Sequence, residues 1–254
     1  MIDKNKIFNQ DISKYIFHET ESGIVLNGDC LEIIPLIKNN SIDLILTDPP
    51  YNQSANGGGF VDKRPMFNKL VKSDLNNFNP MFFLGSIKQI CKYFHSYIFT
   101  SKDLLDIYIN FFKKNNYNWD ILTISKHNPI PCKNNCYLSD KEFCFFVRQK
   151  GGNCFFNNNL DYKNYYTVKK ISVKPAKYGH PTEKNIIIIN SLIQISSQEN
   201  DLILDCYAGS GTTGEACENL NRKYILIEKE IKYCNIIKQR IENLPKYQFI
   251  KELF

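Results

Sequence analysis

The chain has 254 residues, with 32 Lys+Arg against 26 Asp+Glu, a formal net charge of +6 and a hydrophobic share of 43%. That balance excludes a disordered, collagen-like or coiled-coil chain, and it fits one α/β domain with an insertion or two small domains. No apolar run approaches the roughly 20 residues of a membrane helix, and the charged start Met1-Ile2-Asp3-Lys4 has no apolar stretch behind it, so neither a membrane nor a secretory signal is expected and a cytoplasmic location is.

Residues 1–20 carry no readable pattern. Ile24 to Leu26 reads as a short strand ending at Asn27-Gly28-Asp29, and Leu31 to Ile37 as a short helix started or bent by Pro35. Ile42 to Thr47 is an unbroken apolar strand that stops at Asp48-Pro49-Pro50-Tyr51. Asn52 to Asn77, with Gly57, Gly58 and Gly59 among several basic residues, is too long for an ordinary connection and reads as a functional loop. Met81 to Phe94 is expected as a helix, Tyr97 to Thr100 as a strand, Asp103 to Lys114 as a helix and Asn118 to Ser125 as a strand. The rhythm then lapses from Lys126 to Gly179, where only Glu142 to Arg148 reads as a strand. It resumes with a helix capped by Thr182 and running through Ile195, then a strand from Asp201 to Leu204 ending at Asp205. A glycine-rich turn, Ala208-Gly209-Ser210-Gly211, opens a helix from Thr212 to Leu220. The strand Lys223 to Ile227 ends at Glu228, and Glu230 to Asn243 is the closing helix. Continuous apolar strands between helices predict a mostly parallel sheet covered on both faces.

The charge surplus is local. Lys126 to Lys184 holds 11 Lys+Arg against 4 Asp+Glu, which leaves the remainder close to neutral. Ten Phe and Tyr residues share that segment. Basic side chains beside stackable rings suit a phosphate backbone with exposed bases, although a solvated basic face over an aromatic core gives the same composition. Lys133, Lys141, Arg148, Lys169, Lys170, Lys174 and Lys177 are the candidate phosphate contacts. The nine cysteines include no pair at two-residue spacing and no histidine at zinc-finger distance, so they read as reduced thiols, with no metal expected.

Two motifs carry chemistry. Asp205-Cys206-Tyr207-Ala208-Gly209-Ser210-Gly211-Thr212-Thr213 is a strand end, a tight turn and a helix start, where glycines let a nucleotide cofactor approach the backbone. It matches neither G-x-G-x-x-G nor a lysine-bearing P-loop. Glu228 ends the next strand, where an acid can take both ribose hydroxyls. In Asp48-Pro49-Pro50-Tyr51 the prolines stiffen the backbone and remove donors. The Asp carboxylate and a proline carbonyl can then accept from one planar amino group while the Tyr ring stacks on its base. A plain Pro-Pro turn with a capping Asp is the bland alternative.

Together these residues resemble the amino-group DNA methyltransferases that use S-adenosylmethionine. Asp-Pro-Pro-Tyr first, a basic aromatic segment next and the cofactor motif last is similar to the permuted order of the β group. His180-Pro181-Thr182-Glu183-Lys184-Asn185 resembles that group's His-Pro-x-x-Lys-Pro segment, with Asn185 replacing the final Pro, a change expected to weaken helix initiation. Asn27-Gly28-Asp29-Cys30 resembles its Gly-Asp turn. Tyr207 stands where the family usually has Phe, and Cys206 where it often has Pro.

The resemblance implies a Rossmann-like, seven-stranded, mostly parallel sheet with helices on both faces. Residues 1–125 and 180–254 would form the methyltransferase domain and 126–179 a target-recognition insertion. It implies S-adenosylmethionine over Gly209 and Gly211, bordered by Asp205, Tyr207, Ala208, Ser210, Thr213 and Asp48. Glu228 would hold the ribose and Asp29 the adenine end, with Thr182, Lys184 and Thr212 near the methionine carboxylate. Asp48, Pro49, Pro50 and Tyr51 would act on a base flipped out of double-stranded DNA. Asp rather than Ser at position 48 goes with adenine N6 in that family. Cytosine N4 is the alternative, with RNA or a protein glutamine less favoured. Family habit also brings in a homodimer and a cognate restriction endonuclease.

Overall fold

The computed structural model describes residues 2–50, 78–126, 137, 140–160, 162–168 and 183–244. Among them nine strands form one sheet: β1 (Ile16–Glu19), β2 (Gly23–Asn27), β3 (Leu44–Thr47), β4 (His95–Thr100), β5 (Tyr117–Lys126), β6 (Lys141–Gln149), β7 (Tyr165–Val168), β8 (Leu202–Asp205) and β9 (Lys223–Glu228). Their order is β1-β2-β9-β8-β3-β4-β6-β5-β7. The strands β2, β9, β8, β3 and β4 are mutually parallel, β6 runs antiparallel between β4 and β5, and β7 lies parallel to β5.

The expected seven strands are therefore corrected to nine. One addition is β1, which folds back on β2 through a Thr20–Gly23 turn whose amides bond to the Thr20 hydroxyl. The other is β7, drawn from the basic segment and paired with Thr123 to Lys126. Both are four-residue edge strands of mixed polarity, without the apolar run that betrays an interior strand. The segment 126–179 contributes β6 as well, so part of it lies inside the main sheet.

Alternation along the central strands feeds two cores. Ile24, Leu26, Ile45, Leu204, Ile225 and Ile227 face one side with helices α3 (Pro80–Ile90) and α4 (Leu105–Lys114). Val25, Leu44, Leu46, Ile203, Tyr224 and Leu226 face the other, with α5 (Ile186–Ser196), α6 (Thr212–Asn219) and α7 (Ile231–Glu242). A strand buried on both faces has no polar side to show, which is why these segments read as continuous apolar runs. Gly23 lets β2 close on β9, since a Cβ there would lie 2.0 Å from the Tyr224 ring.

The short helices differ from expectation at proline and at the terminus. Pro35 limits α2 to Cys30–Ile33, and a 3-10 turn over Ile34–Leu36 follows. The unpatterned N-terminus packs down: it holds α1 (Lys4–Ile7), and Ile2, Phe8 and Ile12 are buried in the first core. Asn185 does not weaken α5; its side chain accepts from the Ile187 amide and caps the helix.

Candidate active site

From β8 the chain proceeds outward to β9, and from β3 outward to β4, so β8 and β3 lie side by side where the strand order reverses. Open α/β sheets bind ligands at such a point, beyond the carboxyl ends of the strands. Asp205 ends β8 and Asp48 follows β3, and both occupy this rim. Glu228 and Asp29 occupy it too, at the ends of β9 and β2.

The glycine bend is built by its own backbone. The Gly211 amide donates to the Ala208 carbonyl at 2.8 Å, and Gly209 and Gly211 take φ of 52° and 79°, the left-handed region that favours glycine. A Cβ on Gly211 would also lie 3.0 Å from Ile237. Asp205 anchors the bend, accepting from the Tyr207 amide at 3.1 Å and from the Thr213 hydroxyl at 2.6 Å. Burial pushes its carboxyl up to about 6 despite these donors, with Asp48 adding to the rise. Thr212 and Ser210 are buried against the same turn. Ala208 is held by its amide on the Ile227 carbonyl.

Glu228 accepts from the Gly209 amide at 2.9 Å and from the Glu230 amide at 2.8 Å, one bond to each oxygen. Burial lifts its carboxyl to about 7, the two amides pulling the other way. A carboxylate has about four acceptor directions, so two amides leave acceptor capacity for a diol. Asp29 caps α2 through the Leu31 amide and pairs with Lys229 at 3.1 Å. Tyr207 packs edge-on to Phe78 and tilted on Phe83, with ring centroids at 6.1 and 5.6 Å, and Cys206 is buried in the core. Positive-φ glycines, a diol-ready acid one strand over and an aromatic wall fit the adenosine and methionine halves of S-adenosylmethionine.

After β3, Pro49 is buried and Asp48 is partly exposed. The Lys184 ammonium lies 2.8 Å from Asp48 and 3.6 Å from Glu142 of β6, and it sits over the Phe99 ring at 4.4 Å. Lys184, expected near a methionine carboxylate, thus also ties Asp48 to β6. Lys141 starts β6 at this rim, whereas Arg148 pairs opposite His95 at the far end of the sheet. Tyr51, the loop 52–77, Lys133, Lys169, Lys170, Lys174, Lys177 and Thr182 lie outside the described residues.

Sequence reasoning missed Arg240. It is 2% exposed, pairs with Glu215 and with Glu183 at 3.1 Å, and bonds to the Ser210 carbonyl at 3.2 Å. Its signal was present: Arg240 falls on the inward stripe of α7 with Tyr233, Cys234, Ile237 and Ile241.

Comparison with known proteins agrees with this geometry. A Type II methyltransferase of Moraxella bovis, M2.MboI, is 28% identical over 92% of this chain and 92% of its own length. The Haemophilus influenzae Type II methyltransferase M.HinfI is 29% identical over 87% of this chain and 68% of its own. Among solved structures, the M1.HpyAVI–SAM complex superposes with a TM-score of 0.65 at 28% identity, covering 85% of this chain and 98% of that one. The cytosine-N4-specific PvuII DNA methyltransferase superposes with a TM-score of 0.70 over 94% of this chain and 92% of its own, at 17% identity, a likeness of fold alone. A family model described as DNA methylase matches residues 42–239, from the strand before Asp48 to the helix that carries Arg240, and the chain belongs to that N6/N4 DNA methyltransferase family.

Proposed function

We propose that the protein methylates the exocyclic N6 of an adenine swung out of double-stranded DNA, with S-adenosylmethionine as the donor. The observation that carries this reading is the shared rim: Asp48, fixed by Lys184, stands on the strand beside the one that ends in the glycine bend. When bound, S-adenosylmethionine supplies an electrophilic methyl group on a sulfonium. Gly209, Gly211 and Glu228 would seat it, with Asp29 at the adenine end.

The chain's own residues supply orientation and polarity. An exocyclic amine is a poor nucleophile because its lone pair is delocalised into the ring. Acceptors at the Asp48 carboxylate and the Pro49 carbonyl bind its two hydrogens and localise that pair on nitrogen. The Lys184 ammonium, 2.8 Å away, fixes the orientation of the Asp48 carboxylate. In-line attack then needs mainly proximity. Extrusion of the base exposes the amino edge that pairing hides.

Adenine is favoured over cytosine because position 48 is Asp and not Ser. The basic surplus of Lys126 to Lys184, with Lys141 starting β6 at this rim, supports DNA contacts from residues 126–179. The same reading extends to a homodimer and to a cognate restriction endonuclease whose cleavage the mark blocks. Incubation with labelled S-adenosylmethionine and mixed-sequence DNA, followed by digestion to nucleosides, tests it. Label in N6-methyladenine is the expected result; label in N4-methylcytosine moves the target, and label in neither refutes the activity.

A further inference from the structure

Among the described residues Arg240 heads the fully buried side chains by volume. A guanidinium taken from water costs several kcal/mol unless its donors are met, and here they are met by three separate parts of the fold. Nε meets Glu215 of α6. Nη1 lies 3.2 Å from the carbonyl and 3.2 Å from the Oγ of Ser210, and 3.1 Å from Oε1 of Glu183. A strut between α6 and α7 needs only the first of these contacts. The other two reach functional segments: Ser210 stands between the two left-handed glycines, and Glu183 directly precedes the lysine that holds Asp48.

We propose that Arg240 is a positioning residue, its guanidinium fixing the Gly209–Gly211 bend and the Glu183–Lys184 segment relative to each other. The donor seat and the acceptor carboxylate are then set from one buried group. The inference deepens the methyltransferase reading and rests on it. Lysine cannot replace the arginine, because one ammonium cannot hold Glu215 through one nitrogen and Ser210 and Glu183 through another, as the planar guanidinium does.

Two variants of the full chain, R240K and E183Q, separate the arms, each assayed well below its own thermal midpoint. Binding of S-adenosylhomocysteine is followed by calorimetry, and methyl transfer to DNA by steady-state rates. Loss of one charge-assisted hydrogen bond corresponds to about tenfold. R240K is expected to weaken binding about tenfold and to lower kcat about tenfold. E183Q is expected to leave binding within about twofold while lowering kcat about tenfold, a split that a general loss of stability does not produce. Parental binding and parental kcat in folded R240K and E183Q would reduce Arg240 to a strut and overturn the inference. If the parent chain binds S-adenosylhomocysteine but methylates no DNA, the failure belongs to the proposed function. R240K binding then decides this inference alone, and an unchanged affinity overturns it.

Discussion

At the residue scale the rim holds carboxyl groups with different tasks. Asp48 is paired to a lysine and lies at the strand end, so replacing it by alanine removes the proposed acceptor for the amino group without altering a residue of the bend. Asp48→Ala is expected to abolish methyl transfer while S-adenosylhomocysteine still binds, as read by calorimetry beside a transfer assay. Glu228 behaves differently, since burial raises it from 4.5 to about 7. A carboxyl whose folded value stands above its unfolded one lends stability that is whole below pH 4.5 and is lost as pH rises through about 7. Urea titrations of Glu228→Gln should therefore show a flatter decline across that window than the parent chain. If Glu228 takes the ribose hydroxyls as proposed, they donate to its ionised carboxylate, and binding of S-adenosylhomocysteine should tighten as pH rises through about 7 in the parent and stay level in Glu228→Gln.

At the scale of elements, legibility followed burial. β3, β8 and β9 were readable because strands covered on both faces are mostly apolar, and each was placed to within two residues. β1 and β7 were not, because edge strands carry mixed side chains and owe their form to the neighbour they pair with. The motif at Asp48 and the glycine bend were visible as strings, since backbone demands fix residue type at adjacent positions. The ion pairs Lys184–Asp48 and Arg240–Glu183 join residues 136 and 57 positions apart, and no local pattern announces them. Position 185 shows how a departure from a family motif can be repaired: proline pre-sets the backbone of a helix start, whereas asparagine supplies an acceptor for the free amide. Asn185→Ala should cost about 1 kcal/mol in urea unfolding, and Asn185→Asp should keep most of it.

For the whole molecule, charge and sheet direction act together. The basic surplus lies in Lys126 to Lys184, whose described strands β6 and β7 turn one end toward Asp48. If about half of the seven candidate basic residues meet phosphates, raising salt from about 50 to about 200 mM should weaken DNA binding about 10²-fold. Binding of S-adenosylhomocysteine should move far less over the same range, and filter binding at several salt concentrations gives the slope directly. A slope near zero would remove the electrostatic role from this segment.

β6 sits between β4 and β5, so the segment 126–179 is stitched into the sheet and cannot be lifted out as a detachable module. A deletion spanning Lys141–Gln149 would sever both neighbouring strands at once and take away the Glu142 carboxylate that faces Lys184.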